Sequence, residues 1–421
     1  MPRVAFIGTR FAGTDGVSLE AAKWSKVLAQ MGWDSVWYCG HSDRDDAHSW
    51  VEPGAFFGHP QIEKISQEAF GTSRRSPETT AEIYRIAAAL KESLYAFQKR
   101  FSPDLLIVQN ALCIPMNIPL GVAITHFLAE TETPCIVHHH DFYWERERFL
   151  TTSVGDLLDM AFPPTLKHLE NVTINTGAQR DMAYRCGLSS RVVPNVWDFS
   201  TPPKPLDEFA ASFRKDIGLD EEDIIFLQPT RVVPRKGIEH AIALVAALEE
   251  PRVKLVISHA AGDEGPGYFE FLQAQAQELG VDMRLCDQRV GEERGYDQNG
   301  QKIYALADAY AQSDFVTYPS LYEGFGNALL EAFYFQKPVL VNRYSVFVTD
   351  IETKGFDIIP MNGYLTPEVV DQTRALLHDK ARREQMVEHN FRVAQEHFSF
   401  DTLRRHLEVL VPDALTKAKA R

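Results

Sequence analysis

Short apolar runs alternate with amphipathic segments along the first half of the chain. The stretch RVAFIG (Arg3 to Gly8) predicts a buried strand. After a glycine-bearing loop, VSLEAAKWSKVLAQMG has helical spacing of its apolar residues, and DSVWYCG predicts another strand. The runs PDLLIVQN, TPCIVHHHD and NVTINT continue the pattern. Alternation of strands and helices predicts a parallel sheet with helices on both faces.

The same alternation restarts in the second half, after the proline-rich stretch PNVWDFSTPPKP, which predicts a linker. A chain of 421 residues exceeds the size at which one hydrophobic core stops growing. We therefore predict two Rossmann-like, doubly wound parallel-sheet α/β domains, residues 1–198 and 199–397, which face an interdomain cleft. From about Thr366 the pattern is mostly helical, and we expect residues 398–421 to pack back on the first domain.

Polar residues follow the predicted strands of the first domain, where parallel sheets bind ligands. They are Asn110, His138, His139, His140, Asp141 and Asn175.

Composition excludes several classes of protein. Hydrophobic residues make up 45% and charged residues 24%, as in globular proteins, and no apolar run approaches the roughly 20 residues of a membrane span. A net charge of −15 argues against nucleic acid as a partner. The five cysteines lack metal-site spacing, and we found no signal-peptide pattern, so we expect a cytoplasmic location.

The first glycine loop does not favour a dinucleotide-binding enzyme. Gly13 and Gly16 follow the first strand, but the GxGxxG fingerprint of NAD-dependent dehydrogenases is missing. The loop is either a simple turn or a place where backbone N–H groups approach a ligand.

The stretch TRVVPRKG offers two cations at the end of the first strand of the second domain. Arg231 ends the strand, and Lys236 lies just before a helix that starts near Gly237. Guanidinium, ammonium and helix dipole all favour negative charge, so we predict a pyrophosphate site rather than a solvated loop.

The stretch EGFGNALLE places two carboxylates around a glycine turn. Glu323 precedes Gly324 and Gly326, and Glu331 lies in the helix that begins near Asn327. Charge compensation at a helix N-terminus would explain Glu331 alone. Since carboxylates accept hydrogen bonds from vicinal hydroxyls, one could hold a sugar ring and the other a ribose.

The three consecutive histidines do not predict a metal site. In a strand, His138 and His140 share one face and His139 takes the other, so the three rings cannot readily bind one ion. The Asp43-Arg44-Asp45 stretch has the letters of a metal motif but falls in a polar loop.

These motifs together resemble the retaining glycosyltransferases of family 4, which have the GT-B fold. EGFGNALLE is similar to the family's Glu-x7-Glu element, TRVVPRKG to its Arg-x4-Lys-Gly element, and PNVWD to its interdomain element, with Val196 in place of the usual glycine. The resemblance covers nearly the whole chain, in the same order.

The resemblance implies roles for individual residues. Arg231 and Lys236 would bind the donor diphosphate, Glu331 the ribose, and Glu323 the donor sugar, with His140 beside the transferred sugar. The implied donor site comprises Gly16, Arg231, Lys236, Glu323, Gly324, Phe325, Gly326, Asn327, Ala328 and Glu331. The implied acceptor site comprises Asp15, Gly16, Asn110, His139, His140, Asp141 and Arg146. The implied catalytic residues are His140, Arg231, Lys236 and Glu323.

A narrower resemblance carries the expected substrates. GTDGVSLEAAKW, HHHDFYWER, INTGAQR and PNVWDFS resemble mannosylglucosylglycerate synthases, which transfer mannose from GDP-mannose to glucosylglycerate. An acceptor with a carboxylate needs a cation, for which Arg10, Arg146 and Arg148 are candidates. We expect no tightly bound cofactor and no metal site, with Mg²⁺ at most a stimulator.

Other functions remain open at this stage. They are a glucosyltransferase that uses UDP- or ADP-glucose, a sugar-nucleotide epimerase, a non-catalytic sugar-nucleotide-binding protein and a pyridoxal-phosphate-dependent phosphorylase. The polar, glycine-containing stretch GEERGYDQNGQK (residues 291–302) predicts an insert in the second domain, which the resemblance places where the nucleotide base of the donor approaches. The oligomeric state stays open.

Overall fold

The computed structural model describes residues 1–260 and 267–419. Within them the chain forms two compact units, one made of residues 1–196 and 400–419 and the other of residues 197–260 and 267–399. The predicted domain boundaries lie two residues away from these, at 198 and 397.

The first unit contains a seven-stranded parallel sheet with the order β3-β2-β1-β4-β5-β6-β7 in the described part of the chain. Its strands are β1 (Arg3–Ile7), β2 (Asp34–Cys39), β3 (Ser49–Val51), β4 (Leu105–Gln109), β5 (Cys135–His139), β6 (Leu169–Thr173) and β7 (Arg191–Val192). Its first seven helices are α1 (Gly16–Gln30), α2 (Pro60–Ala69), α3 (Pro77–Phe101), α4 (Ile118–Thr131), α5 (Glu147–Leu150), α6 (Gly155–Ala161) and α7 (Thr176–Cys186).

Both faces of this sheet are buried, which explains why its strands are continuously apolar. Along β1, Ala5 and Ile7 pack into one hydrophobic cluster, whereas Val4 and Phe6 pack into the other. Alternate side chains of a strand point to opposite faces, so one strand supplies two cores.

The second unit contains a six-stranded parallel sheet with the order β10-β9-β8-β14-β15-β16 among the described residues. Its strands are β8 (Ile224–Gln228), β9 (Val253–Ile257), β10 (Met283–Leu285), β14 (Phe315–Tyr318), β15 (Val339–Asn342) and β16 (Ile359–Met361). Its helices are α8 (Glu208–Ala211), α9 (Phe213–Asp216), α10 (Ile238–Leu248), α11 (Gly267–Glu278), α12 (Leu306–Gln312), α13 (Asn327–Tyr334), α14 (Pro367–His378) and α15 (Lys380–His397). Two doubly wound parallel sheets confirm the predicted fold class.

The last helix, α16 (Phe400–Lys419), belongs to the first unit. Leu403, Leu407, Leu410 and Ala414 recur at helical spacing and are buried in the same cluster as Val4 and Phe6 of β1. The chain therefore returns to its first sheet after completing the second one.

The 291–302 stretch forms part of a small three-stranded sheet, with the order β11-β13-β12, rather than an irregular insert. Its strands are β11 (Val290–Gly291), β12 (Gly295–Tyr296) and β13 (Lys302–Ala305). Arg294 forms ion pairs with Asp207 at 2.5 Å and Asp308 at 2.6 Å, which fixes the small sheet to the neighbouring helices.

Candidate active site

Each large sheet has one point where the strand order reverses, and the predicted motifs lie there. In the first unit β1 is flanked by β2 and β4, and in the second unit β8 is flanked by β9 and β14. The loops that follow two neighbouring strands on either side of such a point diverge and leave a crevice for ligands. Arg231 and Lys236 follow β8, whereas Glu323 follows β14.

Gly237 allows the loop after β8 to approach the end of β14 closely. Gly237 has a φ of +59°, and a Cβ at this position would lie 2.6 Å from the carbonyl oxygen of Pro319. A short 3-10 turn, Pro234–Lys236, precedes it, and α10 begins directly after it. Only glycine fits both this conformation and this close contact. Gly237 therefore lets the TRVVPRKG loop lie against the segment that precedes EGFGNALLE.

Lys236 and Glu323 form an ion pair within this contact. The Lys236 ammonium donates to Glu323 Oε1, while Arg235 Nη1 donates to Glu323 Oε2 over 3.1 Å. Burial alone would raise the pKa of Glu323, but the charges of Lys236 and Arg235 outweigh it and hold the pKa below its usual value. Glu323 is therefore a carboxylate shared by two cations.

Burial also governs the protonation of Lys236. Removal from water lowers the pKa of this ammonium, although the attraction of Glu323 raises it in part. The positive charges of Arg235 and Arg231 add to the lowering. A bound diphosphate would supply the negative charge that this group of cations lacks.

Arg231 adds a third cation to this group, and the neutral ring of His259 lies beside it. Arg231 is exposed, and His259 follows β9, the neighbour of β8. Burial, together with the positive charges of Lys236 and Arg231, lowers the pKa of His259 to about 4. Ser258 Oγ lies 2.9 Å from His259 Nδ1, which leaves Nε2 of the ring for another partner. The sequence-based site residues did not include Arg235 or His259.

The glycine turn of EGFGNALLE has the strained geometry that its glycines suggest. Gly326 has a φ of +126°, and a Cβ there would overlap the hydroxyl of Tyr344. That hydroxyl donates a hydrogen bond to the carbonyl oxygen of Phe325 over 2.7 Å, which holds the turn in this conformation. Helix α13 begins at the next residue, Asn327, as expected from the sequence.

Glu331 lies four residues into α13, beside Tyr310. Burial raises the pKa of Tyr310, and the charge of Glu331 raises it further, so the two side chains are close. The Tyr310 hydroxyl donates to the carbonyl oxygen of Ala328 over 2.9 Å. The first N–H groups of a helix have no partner within it and point past its N-terminus, so Asn327 and Ala328 aim amides towards the turn.

In the first unit, Asp15 caps helix α1. Its carboxylate accepts hydrogen bonds from the backbone N–H groups of Val17 at 3.1 Å and Ser18 at 3.2 Å, and Arg10 Nη2 lies 3.1 Å away. Gly16 is the first residue of the helix. The loop therefore presents a helix N-terminus whose charge Asp15 already compensates in part.

Asn110 links the ends of β4 and β5. It has a left-handed backbone, with a φ of +59°. Its side-chain oxygen accepts from the backbone N–H of His140 at 3.1 Å, and its amide donates to Asp141 at 3.0 Å. A left-handed backbone and a side chain that bonds to both His140 and Asp141 indicate a positioning role for Asn110, beside the predicted catalytic histidine.

His140 is held as a neutral ring. Its Nε2 donates to Gln109 Oε1 over 2.9 Å, so Nδ1 is the acceptor nitrogen. Burial lowers the pKa of His140 to about 4, although the nearby charges of Asp141 and Asp15 act in the opposite direction. The structure thus brings Asp15, Asn110, His140 and Asp141, all predicted site residues of the first unit, close together.

The other two histidines lie inside the fold. His138 and His140 share one face, with ring centroids 4.3 Å apart, and His139 bonds to Asn171 Oδ1 over 3.1 Å on the other face. His139 is fully buried, so its position does not support the predicted contact with the acceptor. Among the described residues, no group of three or more His, Cys, Asp or Glu side chains could hold a metal ion.

Two of the three candidate arginines already have carboxylate partners. Arg10 pairs with Asp15, and Arg146 pairs with Asp141 through Nε at 2.8 Å.

In the described ranges, 1–260 and 267–419, no helix combines the length and the apolar character of a membrane span.

The sequence is similar to one protein-family profile and, over most of its length, to two synthases. The family profile of the glycosyl transferases group 1 matches residues 298–392. The mannosylglucosylglycerate synthase of Thermotoga maritima is 31% identical, over 95% of this chain and 97% of its own length. A protein of the same name from Petrotoga mobilis is 30% identical over 85% of this chain and 86% of its own.

Solved structures agree in fold at low sequence identity. The structure of Anabaena HepE in complex with UDP and glucose has a TM-score of 0.68 and 15% identity, with 98% of this chain and 100% of that chain covered. Sucrose-phosphate synthase from Thermosynechococcus elongatus has a TM-score of 0.67 and 14% identity, with 99% and 100% covered. The identity and coverage of the sequence relatives, with the two GT-B sheets, show that the chain belongs to the group 1 glycosyltransferases, in the family that includes the mannosylglucosylglycerate synthases.

Proposed function

We propose that the protein transfers mannose from GDP-mannose to a small hydroxylated acid, glucosylglycerate, with retention of configuration at the sugar. The observation that carries this proposal is the group of cations after β8, with Lys236 buried against Glu323 and Arg231 exposed beside it. The names of the two sequence relatives support mannose as the sugar and glucosylglycerate as the acceptor.

The second unit would bind the donor. The diphosphate would meet Arg231 and Lys236, since leaving-group charge is the largest electrostatic demand of the reaction. Glu331 would accept hydrogen bonds from the ribose hydroxyls, and Glu323 would face the sugar while it keeps Lys236 in place. His259 would add a ring nitrogen next to the diphosphate.

The reaction would take place on one face of the sugar. The bond from the anomeric carbon to the diphosphate breaks, the acceptor oxygen bonds to that carbon, and the acceptor proton passes to the leaving diphosphate. No carboxylate nucleophile was recognised in the sequence for a double displacement. We place the reaction in the cytoplasm, which the free thiols of all five cysteines support.

A thermal-shift panel tests the donor. The protein is heated with GDP, UDP or ADP, and with their mannose and glucose derivatives, in separate samples. We expect GDP and GDP-mannose to raise the melting temperature most, because at equal concentration the ligand that binds the folded state more tightly stabilises it more. A larger shift with UDP-glucose or ADP-glucose would replace the proposed donor.

A product assay tests the reaction class. With GDP-mannose, we expect a new glycoside only when glucosylglycerate is present, and its anomeric configuration by NMR decides between retention and inversion. A changed nucleotide sugar without acceptor would indicate an epimerase instead.

A further inference from the structure

We propose that a cavity of the first unit binds the acid end of the acceptor, with Arg148 as the counter-ion of its carboxylate; this inference rests on the proposed function. The cavity, here called the Arg148 pocket, has a volume of about 690 Å³ and is lined among others by Phe57, Ser66, Phe70, Met116, Arg148 and Phe149. Sites for small molecules have volumes of roughly 300–1,000 Å³.

Arg148 differs from the other two arginines in its partners. Arg10 and Arg146 are neutralised by Asp15 and Asp141. Within the described residues, Arg148 has no carboxylate within ion-pair distance: its Nη2 lies 2.9 Å from the sulfur of Met116, and its guanidinium lies 4.6 Å from the ring centre of Phe149. A planar guanidinium without a counter-ion can take a carboxylate through two parallel hydrogen bonds.

The surroundings of Arg148 favour an anion. Burial lowers the pKa of this guanidinium, and the positive charge of Arg146 lowers it further, although Asp141 acts in the opposite direction. A bound carboxylate would offset both unfavourable effects.

The walls of the pocket suit a sugar acid. Phe70 and Phe149 form an edge-to-face pair with ring centroids 4.8 Å apart, and Phe57 supplies a third ring. Aromatic faces pack against the apolar C–H faces of a sugar ring. Glu63, Ser66 and Gln67 lie on one face of α2, at spacings of three and four residues, and offer partners for hydroxyl groups.

Hydrogen bonds hold the pocket in shape. Gly71 N–H donates to the carbonyl oxygen of Thr151 over 2.9 Å, and Phe70 forms an antiparallel bridge with Thr152. Arg75 binds Asp156 through two hydrogen bonds of 2.6 and 2.7 Å. These contacts join the end of α2 to the segment after α5, so the aromatic wall needs little ordering when a ligand binds.

The pocket adjoins the strand ends that hold the predicted acceptor residues. The guanidinium carbon of Arg10 lies 5.3 Å from the ring centre of Phe57, and Arg10 forms an ion pair with Asp15. Met116 belongs to the segment between Asn110 and α4. An acceptor with its acid end at Arg148 would therefore extend towards Asp15 and Asp141, where we place its reacting hydroxyl.

The test compares an acid with its neutral analogue. Transfer rates are measured with glucosylglycerate and with glucosylglycerol, which has a hydroxymethyl group where the acid has its carboxylate, for the unchanged protein and for Arg148→Gln. We expect Arg148→Gln to lower kcat/KM for the acid about 10- to 100-fold, mostly through KM, and to leave the neutral acceptor unchanged. Arg148→Lys should recover part of the loss.

Controls separate this inference from the proposed function. Arg180→Gln, an exposed arginine of α7, should change neither acceptor. Calorimetric titration with glucosylglycerate measures binding whether or not transfer occurs, so absence of transfer would overturn the proposed function alone. Equal affinity of the unchanged protein and of Arg148→Gln for glucosylglycerate would overturn the pocket.

Discussion

Lys236 and Glu323 form an ion pair in which each side chain is only 9% exposed. The two residues lie in the loops that follow the neighbouring strands β8 and β14, and the carboxylate is shared with Arg235. Such a pair fixes the ammonium before any donor arrives, so a diphosphate would meet a cation already in position.

Because Glu323 binds both Lys236 and Arg235, removal of Glu323 should destabilise the fold more than removal of Lys236. Glu323→Gln leaves Lys236 and Arg235 without a counter-charge, whereas Lys236→Met leaves Glu323 with Arg235. Removal of one partner of a buried ion pair costs about 3–5 kcal/mol, and we expect this range for Glu323→Gln and a smaller cost for Lys236→Met. Melting temperatures check the order, and both variants should lose transfer activity.

The double variant Lys236→Met/Glu323→Gln completes a cycle. We expect it to be more stable than Glu323→Gln alone, because the uncompensated ammonium is gone. If the two single variants melt at the same temperature, Arg235 does not share the carboxylate in the way described.

Glu331→Ala tests the ribose contact. A hydrogen bond to a charged group contributes about 1.5–3 kcal/mol, which corresponds to a loss of roughly 10- to 150-fold in kcat/KM for the donor. The half-buried side chain lies on a short helix, so we expect the melting temperature to stay close to that of the unchanged protein. Glu278→Ala, at an exposed glutamate of α11, is the control for the loss of a carboxylate. Unchanged turnover in Glu331→Ala would rule out this assignment.

Gly326→Ala tests the turn between the two carboxylates. The φ of +126° is strained for alanine, and the new methyl group would displace the Tyr344 hydroxyl from its bond to Phe325. We expect a loss of about 2–4 kcal/mol in stability, as for other strained positions that also lose a buried hydrogen bond. Gly295→Ala is the matched control, since a Cβ there meets no atom within 4 Å, and urea unfolding compares the two.

The two sheets followed from the sequence because buried parallel strands are continuously apolar. RVAFIG and DSVWYCG belong to such strands, and their bounds in the structure agree closely with the patterns. The short strands β3, β7 and β16 were not predicted, since two or three residues carry no periodicity.

The site followed from the sequence only in part. The cations and carboxylates were identified by type and spacing, but the bond between Arg235 and Glu323 depends on how two loops meet. His259 follows the apolar run VKLVIS, as Asn110 follows LLIVQ, so the same signal could have identified it. The burial of His139 could not be predicted, because alternation along a strand does not say which face a ligand occupies.

The stability of the first unit should fall in acid because of its histidines. His138 is fully buried between Trp24 and His140, and neither ring nitrogen has a hydrogen-bond partner among the described residues. Burial lowers its pKa well below the usual value of 6.5, and the charges of His140 and His139 act in the same direction. Below that pH the unfolded chain binds a proton that the folded His138 does not bind, so stability is lost as the pH falls.

His138→Leu should therefore weaken this pH dependence. Leucine cannot bind the proton that His138 takes up on unfolding, so we expect a shallower fall of melting temperature from about pH 7 to about pH 5. The substitution also removes two buried ring nitrogens. His378→Asn, at an exposed histidine of α14, should keep the slope of the unchanged protein. At about pH 8, where the ring is neutral in both states, the melting temperature of His138→Leu should not be lower. A slope equal to that of the unchanged protein would mean that His138 is protonated in the folded state.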